Sequence, residues 1–388
     1  MVWQNWCLQV LIVLLLLKFV CAVQETPRKH RWTPKFGTKR TQIPPLLIST
    51  WNYTDANLQA WCVLQQGSQR TRQAVIQGCL ACQSKRCGRL LAGGSGPDSD
   101  GHLTLEAAIM DGSTLQYGAV AGMEGVRNAI LVADALTRYT KHTLLVGKGA
   151  EKFAKSMGYK EGNPPNRRTT KALQSWYLNR CQPNFWRDVH PSPTKNCGPY
   201  SPLPPHLLKQ PMHQEYSIIG GHHDQLAFMA LDEEGKIHVA SHSSGTRFRI
   251  PGRAGDSAVP GAGIYADNEV GGALACGDGD VLMRHLPAFL AVESMRSGKK
   301  PAQAAEWVMQ RVLRYNTEFN GAIVVVNRKG IYGAACAGLD EFNFVVSGGK
   351  RYLSMARVEG IKCLERDEIQ DGGPRGFFQS IPEKKMVP

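Results

Sequence analysis

Between positions 218 and 280 the chain gathers most of the residue types that can do chemistry. His222, His223 and Asp224 come first, and Gln225 opens a strand-like run to Leu231 directly behind them. Ser243 follows, then Arg253 and Asp256, Cys276, and the run Gly277-Asp278-Gly279-Asp280. Glycine and alanine fill much of the space between, and small residues let backbone approach backbone or a ligand closely. A guanidinium suits a carboxylate because it donates two parallel hydrogen bonds, so Arg253 is a candidate for holding an acidic group. The plain alternative is a structural ion pair with Asp256, three residues on. Taken alone, the Gly-Asp-Gly-Asp run reads as a phosphate or calcium loop. It lacks the Lys-Ser/Thr of the first and the carboxylate spacing of the second. Cys79, Cys82 and Cys87 have a spacing open to zinc, but no histidine lies nearby, and an oxidising compartment favours a disulfide.

That compartment is indicated at the start of the chain. An apolar core from Leu8 to Leu17, interrupted only by Gln9, leads to Val20-Cys21-Ala22, whose small residues fit a signal-peptidase site. An uncleaved anchor is the alternative, and the run is short for a spanning helix. The expectation is a signal peptide over residues 1–22, a secretory destination, either secreted or lysosomal, and no membrane span once the signal is removed. Loss of those residues takes away Lys18 and two cysteines and leaves a net charge of +13. Six Lys or Arg fall within residues 28–40. With Pro and Gly among them, residues 23–45 read as a solvated, flexible arm or a pro-segment. Nothing that stacks on bases or reads a groove accompanies the charge, so nucleic acid is not an expected partner. The sequon Asn52-Tyr53-Thr54 places a candidate glycosylation site at Asn52.

The elements that must position these residues are legible in part. Leu46 to Trp51 reads as a short buried strand, and apolar spacing predicts helices over 56–66, 69–81, 125–139 and 169–180. A hairpin turns at Asp111-Gly112, and a strand over 142–146 leads into a helix ending at Met157. Residues 181–224 are rich in proline and poor in periodicity, with Cys181 and Cys197 placed to brace their first part. A second hairpin has Glu233, Glu234 and Gly235 at its turn. Amphipathic helices are expected over 281–295 and 301–315, then a hairpin turning at Lys329-Gly330, with 344–346 and 352–356 extending its sheet. Strands followed by paired helices, twice over, suggest helices outside two sheets. The tail over 364–388 is charged and broken by Gly372-Gly373-Pro374, which reads as disorder.

From about Leu46 to Cys363 the chain resembles the glycosylasparaginases, the aspartylglucosaminidase group of the N-terminal-nucleophile hydrolases. The likeness is carried by Thr50-Trp51, IMDG at 109–112, HTLLVG at 142–147, CQPNFWR at 181–187, CGPY at 197–200, GRAGDS at 252–257, PGAGIYAD at 260–267 and YGAAC at 332–336. It implies an α/β (α+β) fold, a four-layered αββα sandwich, in one domain over 46–363. In the family that domain is cut by the protein itself into two chains, here 46–224 and 225–363. The resemblance also implies disulfides Cys82–Cys87, Cys181–Cys197 and Cys336–Cys363, leaving Cys62, Cys79 and Cys276 over. It implies pairing into homodimers and no cofactor or metal.

The family reaction is hydrolysis of the amide bond between N-acetylglucosamine and asparagine. Its threonine nucleophile follows a His-Asp pair and works twice, first splitting the precursor, then attacking the substrate while its freed α-amine serves as base. Gln225 stands at that position and has no hydroxyl. Ser243 matches the threonine that supports the nucleophile. Arg253, Ala254, Gly255 and Asp256 match the segment that holds the α-carboxylate and α-amino groups of the asparagine. Cys276 replaces a threonine of the oxyanion hole beside Gly277, and Asp278 and Gly279 continue the pocket wall. A thiol is a weak donor, so this second change also lowers transition-state stabilisation.

Two readings follow. In the first the protein is a secreted, unprocessed pseudoenzyme that still binds an asparagine-like or glycosylasparagine ligand through Arg253 and Asp256. In the second it is a working asparaginase or glycosylasparaginase with an unfamiliar nucleophile, for which Cys276 is the most chemically capable residue.

Overall fold

The strand expected at Leu46 forms β1 (Leu46–Thr50), with all five residues buried, in the computed structural model of the chain. The structure describes residues 43–364 apart from 68, 86, 88–95, 161, 163–166, 209–224, 350 and 351. The expected signal peptide, all but the last three residues of the arm, the His222-His223-Asp224 run and the tail beyond Leu364 lie outside the described residues.

After β1 the chain forms α1 (Thr54–Leu64) and α2 (Thr71–Lys85), the hairpin β2 (Thr104–Asp111) and β3 (Tyr117–Glu124), and α3 (Ala129–Tyr139). Next come β4 (Leu144–Val146), α4 (Gly147–Ser156), α5 (Arg167–Leu178) and the two-residue strands β5 (Val189–His190) and β6 (Ser201–Pro202). The second half holds β7 (Leu226–Leu231), β8 (Ile237–Ser243), β9 (Ile264–Asp267), β10 (Gly271–Gly277), α6 (Gly279–His285), α7 (Pro287–Arg296) and α8 (Pro301–Tyr315). It closes with β11 (Gly321–Asn327), β12 (Tyr332–Ala337), β13 (Glu341–Gly348) and β14 (Tyr352–Lys362).

Eight strands form one sheet in the order β14-β13-β1-β7-β8-β2-β3-β4, and four form another in the order β12-β11-β10-β9. Side chains of a strand alternate between its two faces, and here both faces are apolar. Along β7, Leu226, Phe228 and Ala230 pack into a core with α1 to α4, while Ala227, Met229 and Leu231 pack toward the smaller sheet. Along β10, Leu274 and Cys276 face that shared inter-sheet core, and Ala273 and Ala275 join a third core with α6 to α8. Three cores separate four layers, so the architecture is αββα. The sheets approach closely where side chains are small: a Cβ on Gly272 would lie 3.1 Å from the Met229 sulfur.

Two expected elements differ. The single helix over 281–295 is two, because Pro287 has no N–H to continue a helical ladder and Leu286 turns left-handed at φ 48°. The strands expected to extend the β11–β12 hairpin belong instead to the larger sheet, where β13 pairs with β1 from Leu46↔Gly348 to Thr50↔Phe344. A buried apolar strand presents the same residue pattern to either sheet, so only the pairing separates them.

Disulfides join Cys82–Cys87, Cys181–Cys197 and Cys336–Cys363. Cys62, left over in the sequence reading, is disulfide-bonded too, whereas Cys79 and Cys276 are buried free thiols. No group of acidic, histidine and cysteine side chains among the described residues could hold a metal, and no described helix is long and apolar enough to cross a membrane.

Candidate active site

Gln225 lies one residue before β7, at the end of the larger sheet where Leu226 pairs with His242 of β8. Its side chain is buried and points between the sheets toward the β9–β10 end of the smaller one. The amide nitrogen Nε2 donates to the Ala275 carbonyl at 2.8 Å, and Oε1 accepts from Ser257 Oγ at 3.1 Å. Its backbone carbonyl accepts from Trp51 Nε1 at 2.8 Å. Both ends of the side-chain amide and the backbone carbonyl are thus matched by protein, as burial demands. Thr50 steadies the next turn of chain by accepting from the Ala227 N–H at 2.9 Å.

Ser243 ends β8 beside Gln225, and its Oγ accepts from the Gly245 N–H at 2.9 Å. The loop after β8 carries Arg253, Ala254, Gly255 and Asp256. Arg253 makes a fork-like pair with Asp280, through Nε at 3.3 Å and Nη2 at 3.0 Å. Asp280 is therefore an in-chain partner of that guanidinium, one that sequence spacing did not suggest. Asp256 is buried at the head of a one-turn helix, with Ala254 packed against the inter-sheet core.

Sequence reasoning missed Glu106. It is the one charged residue in the apolar run of β2, and on a strand with both faces buried such a residue must find partners. Its Oε2 accepts from the Gly255 N–H at 2.8 Å. Burial pushes its carboxyl up, an effect that Arg253 and Arg249 nearby oppose. It anchors the loop that carries Arg253 and Asp256, and its solitary charge in TLEAAIM was the available signal.

Cys276 is also buried in this neighbourhood. Burial holds its thiol well above the ordinary range, and the nearby Asp256 pushes it the same way. A thiol that stays protonated is a poor nucleophile. Gly277 adopts φ 137°, and a Cβ there would fall 2.3 Å from the Asn320 carbonyl, so this corner needs glycine. Asp278 caps α6, its carboxylate accepting from the N–H groups of Asp280 at 3.1 Å and Val281 at 3.2 Å, with Gly279 as the first helical residue. The Gly-Asp-Gly-Asp run is thus a helix start, capped by its own aspartate.

The structure brings Gln225, Ser257 and Ala275 into direct contact and sets Arg253, Asp256, Glu106 and Asp280 in one polar neighbourhood beside them. Chemically the arrangement can hold charge and hydrogen-bond a small polar group. At position 225 itself it presents a carboxamide engaged with protein, and an amide is not a nucleophile of use in acyl transfer.

A family model described as Asparaginase matches residues 45–353. Similar proteins include the L-asparaginase-like protein GD25160 of Drosophila simulans, 71% identical over 394 residues that cover 99% of each chain. The L-asparaginase-like protein CG4372 of Drosophila melanogaster is 70% identical over 394 residues with the same 99% coverage of both. The L-asparaginase-like protein GF11609 of Drosophila ananassae is 68% identical over 343 residues, covering 88% of this chain and 91% of its own.

Proposed function

The chain belongs to the asparaginase family, and we propose that it is a non-catalytic member of it, carried into the secretory pathway and left as one chain across Asp224 and Gln225. One observation carries the reading: the side chain at the nucleophile position is a buried glutamine whose amide is hydrogen-bonded at both ends to Ala275 and Ser257. Neither self-cutting nor attack on an amide can start from it, and loss of a nucleophile from a cooperating site costs on the order of a millionfold in the serine-protease case. The alternative, an active asparaginase or glycosylasparaginase using Cys276, is disfavoured by the full burial of that thiol beside Asp256, which works against forming a thiolate.

The residues that would read an asparagine-like or glycosylasparagine ligand, Arg253 and Asp256, are retained beside the site. A ligand carboxylate would compete with Asp280 for the Arg253 fork, so affinity for such a ligand is expected to be modest. Exposed Asn52 and the disulfides support a secretory, oxidising compartment, secreted or lysosomal. Pairing into a homodimer remains part of the proposal, on the family resemblance.

The test is the intact mass of the reduced, secreted protein together with turnover of aspartylglucosamine and asparagine. A single chain without turnover supports the proposal. Two fragments with Gln225 at the new terminus, or turnover by a variant-sensitive Cys276, would overturn it. Gln225→Thr supplies the missing hydroxyl and is expected to restore cutting before position 225.

A further inference from the structure

We propose that the notch around the Gln225 side chain is a binding site for a primary carboxamide, filled in the native protein by the chain's own residue. Three groups build it. Ser257 Oγ donates toward the amide oxygen at 3.1 Å, and the Ala275 carbonyl accepts from the amide nitrogen at 2.8 Å. Gly263 forms the third wall: a Cβ there would sit 2.2 Å from Oε1 and 2.4 Å from Nε2, so bare backbone lies flat against the carboxamide.

These groups are themselves held in place. The Ala275 N–H donates to the Gly263 carbonyl at 2.8 Å, which locks the acceptor and the wall to each other. Ser257 is fixed through its carbonyl, which accepts from Ser241 Oγ at 2.7 Å. Ser257, Gly263 and Ala275 are distinct from the residues that the family resemblance assigns to the amino-acid pocket.

One donor opposite one acceptor selects for chemistry. A carboxamide offers an oxygen to the hydroxyl and an N–H to the carbonyl. A carboxylate would set a negative oxygen against the Ala275 carbonyl, and an amine has nothing to accept from Ser257. The native glutamine satisfies both partners, so a free amide cannot enter until the side chain is cut back. This inference rests on position 225 being non-catalytic, and its readout is binding and not turnover, so the two can fail separately.

The experiment uses the full secreted chain carrying Gln225→Gly and follows its thermal unfolding with acetamide or propionamide, with sodium propionate as control. Anything that binds only the folded state raises its midpoint saturably. The expected result is a rise of several degrees with the amides for Gln225→Gly, none for the native protein and none with propionate. An equal rise in both proteins, an equal rise with propionate, or no rise at all would overturn the proposal. If Gln225→Gly does not fold, Gln225→Glu decides the question. Its protonated carboxyl can donate to Ala275 and its ionised form cannot, so the melting point is expected to approach the native value in acid and fall below it at neutral pH. A deficit that is independent of pH would overturn the proposal equally.

Discussion

The side-chain amide of Gln225 donates to the backbone carbonyl of Ala275 across 2.8 Å and so joins the start of β7 in the larger sheet to β10 in the smaller. With Ser257 on the amide oxygen, Gln225 is a strut between the two sheets.

Gln225→Leu keeps the bulk of that strut and removes its hydrogen bonds. The Ala275 carbonyl and the Ser257 hydroxyl are then left buried without this partner, each at about 1–3 kcal/mol. The expected loss is roughly 2–4 kcal/mol by denaturant unfolding at unchanged m-value. A variant as stable as the native protein would show that the bonds contribute nothing net.

Asp278→Ala separates a capping role from a ligand-binding one. Its carboxylate accepts from two N–H groups in the first turn of α6, and loss of such a cap costs about 1 kcal/mol. Asp278→Asn or Asp278→Ser is expected to recover most of that loss, since either side chain can cap. Failure of both to recover it would point to the charge itself.

Cys79 and Cys276 are expected to resist alkylation in the native protein. Both are buried, and burial raises both thiols, Cys276 with added repulsion from Asp256. Peptide mapping after iodoacetamide treatment should find them unmodified under native conditions and modified after denaturation without reductant. Rapid native labelling of Cys276 would reopen it as a nucleophile.

Acid should destabilise the fold through His242. Burial among apolar neighbours pulls its imidazole down to about 4 from the ordinary 6.5. The unfolded chain takes up a proton that the folded one refuses, so the stabilisation is complete above pH 6.5 and is lost as pH falls toward 4. That interval is worth roughly 3 kcal/mol. His238, also brought to about 4 mainly by burial, acts in the same direction. Glu106 and Asp278, both raised by burial, act in the opposite sense, favouring the fold in acid and losing that contribution as pH rises. His242→Phe isolates the histidine: the stability of the native protein relative to the variant should fall by about 3 kcal/mol between pH 7 and pH 4. A difference that stays flat would mean that the imidazole is not held neutral.

Much of the secondary structure was legible because local rules act alone. The helix expected over 301–315 is α8 to the residue, since Pro301 at its first turn and apolar positions every three or four residues mark both its start and its buried face. The 281–295 segment has similar periodicity, yet one internal proline outweighs the pattern and splits it. Strands 13 and 14 were visible as strands, but not the sheet they join.

The sequence by itself determined the family, the order of elements and the chemistry absent at position 225, because each depends only on residue identity and order. Only the tertiary structure decided what the Gln225 side chain contacts. Ser257 and Ala275 stand 32 and 50 residues beyond Gln225, and Asp280 stands 27 residues beyond Arg253. No local spacing rule links them. Packing two sheets face to face brings these groups within hydrogen-bonding distance, and burial then requires that each find a partner.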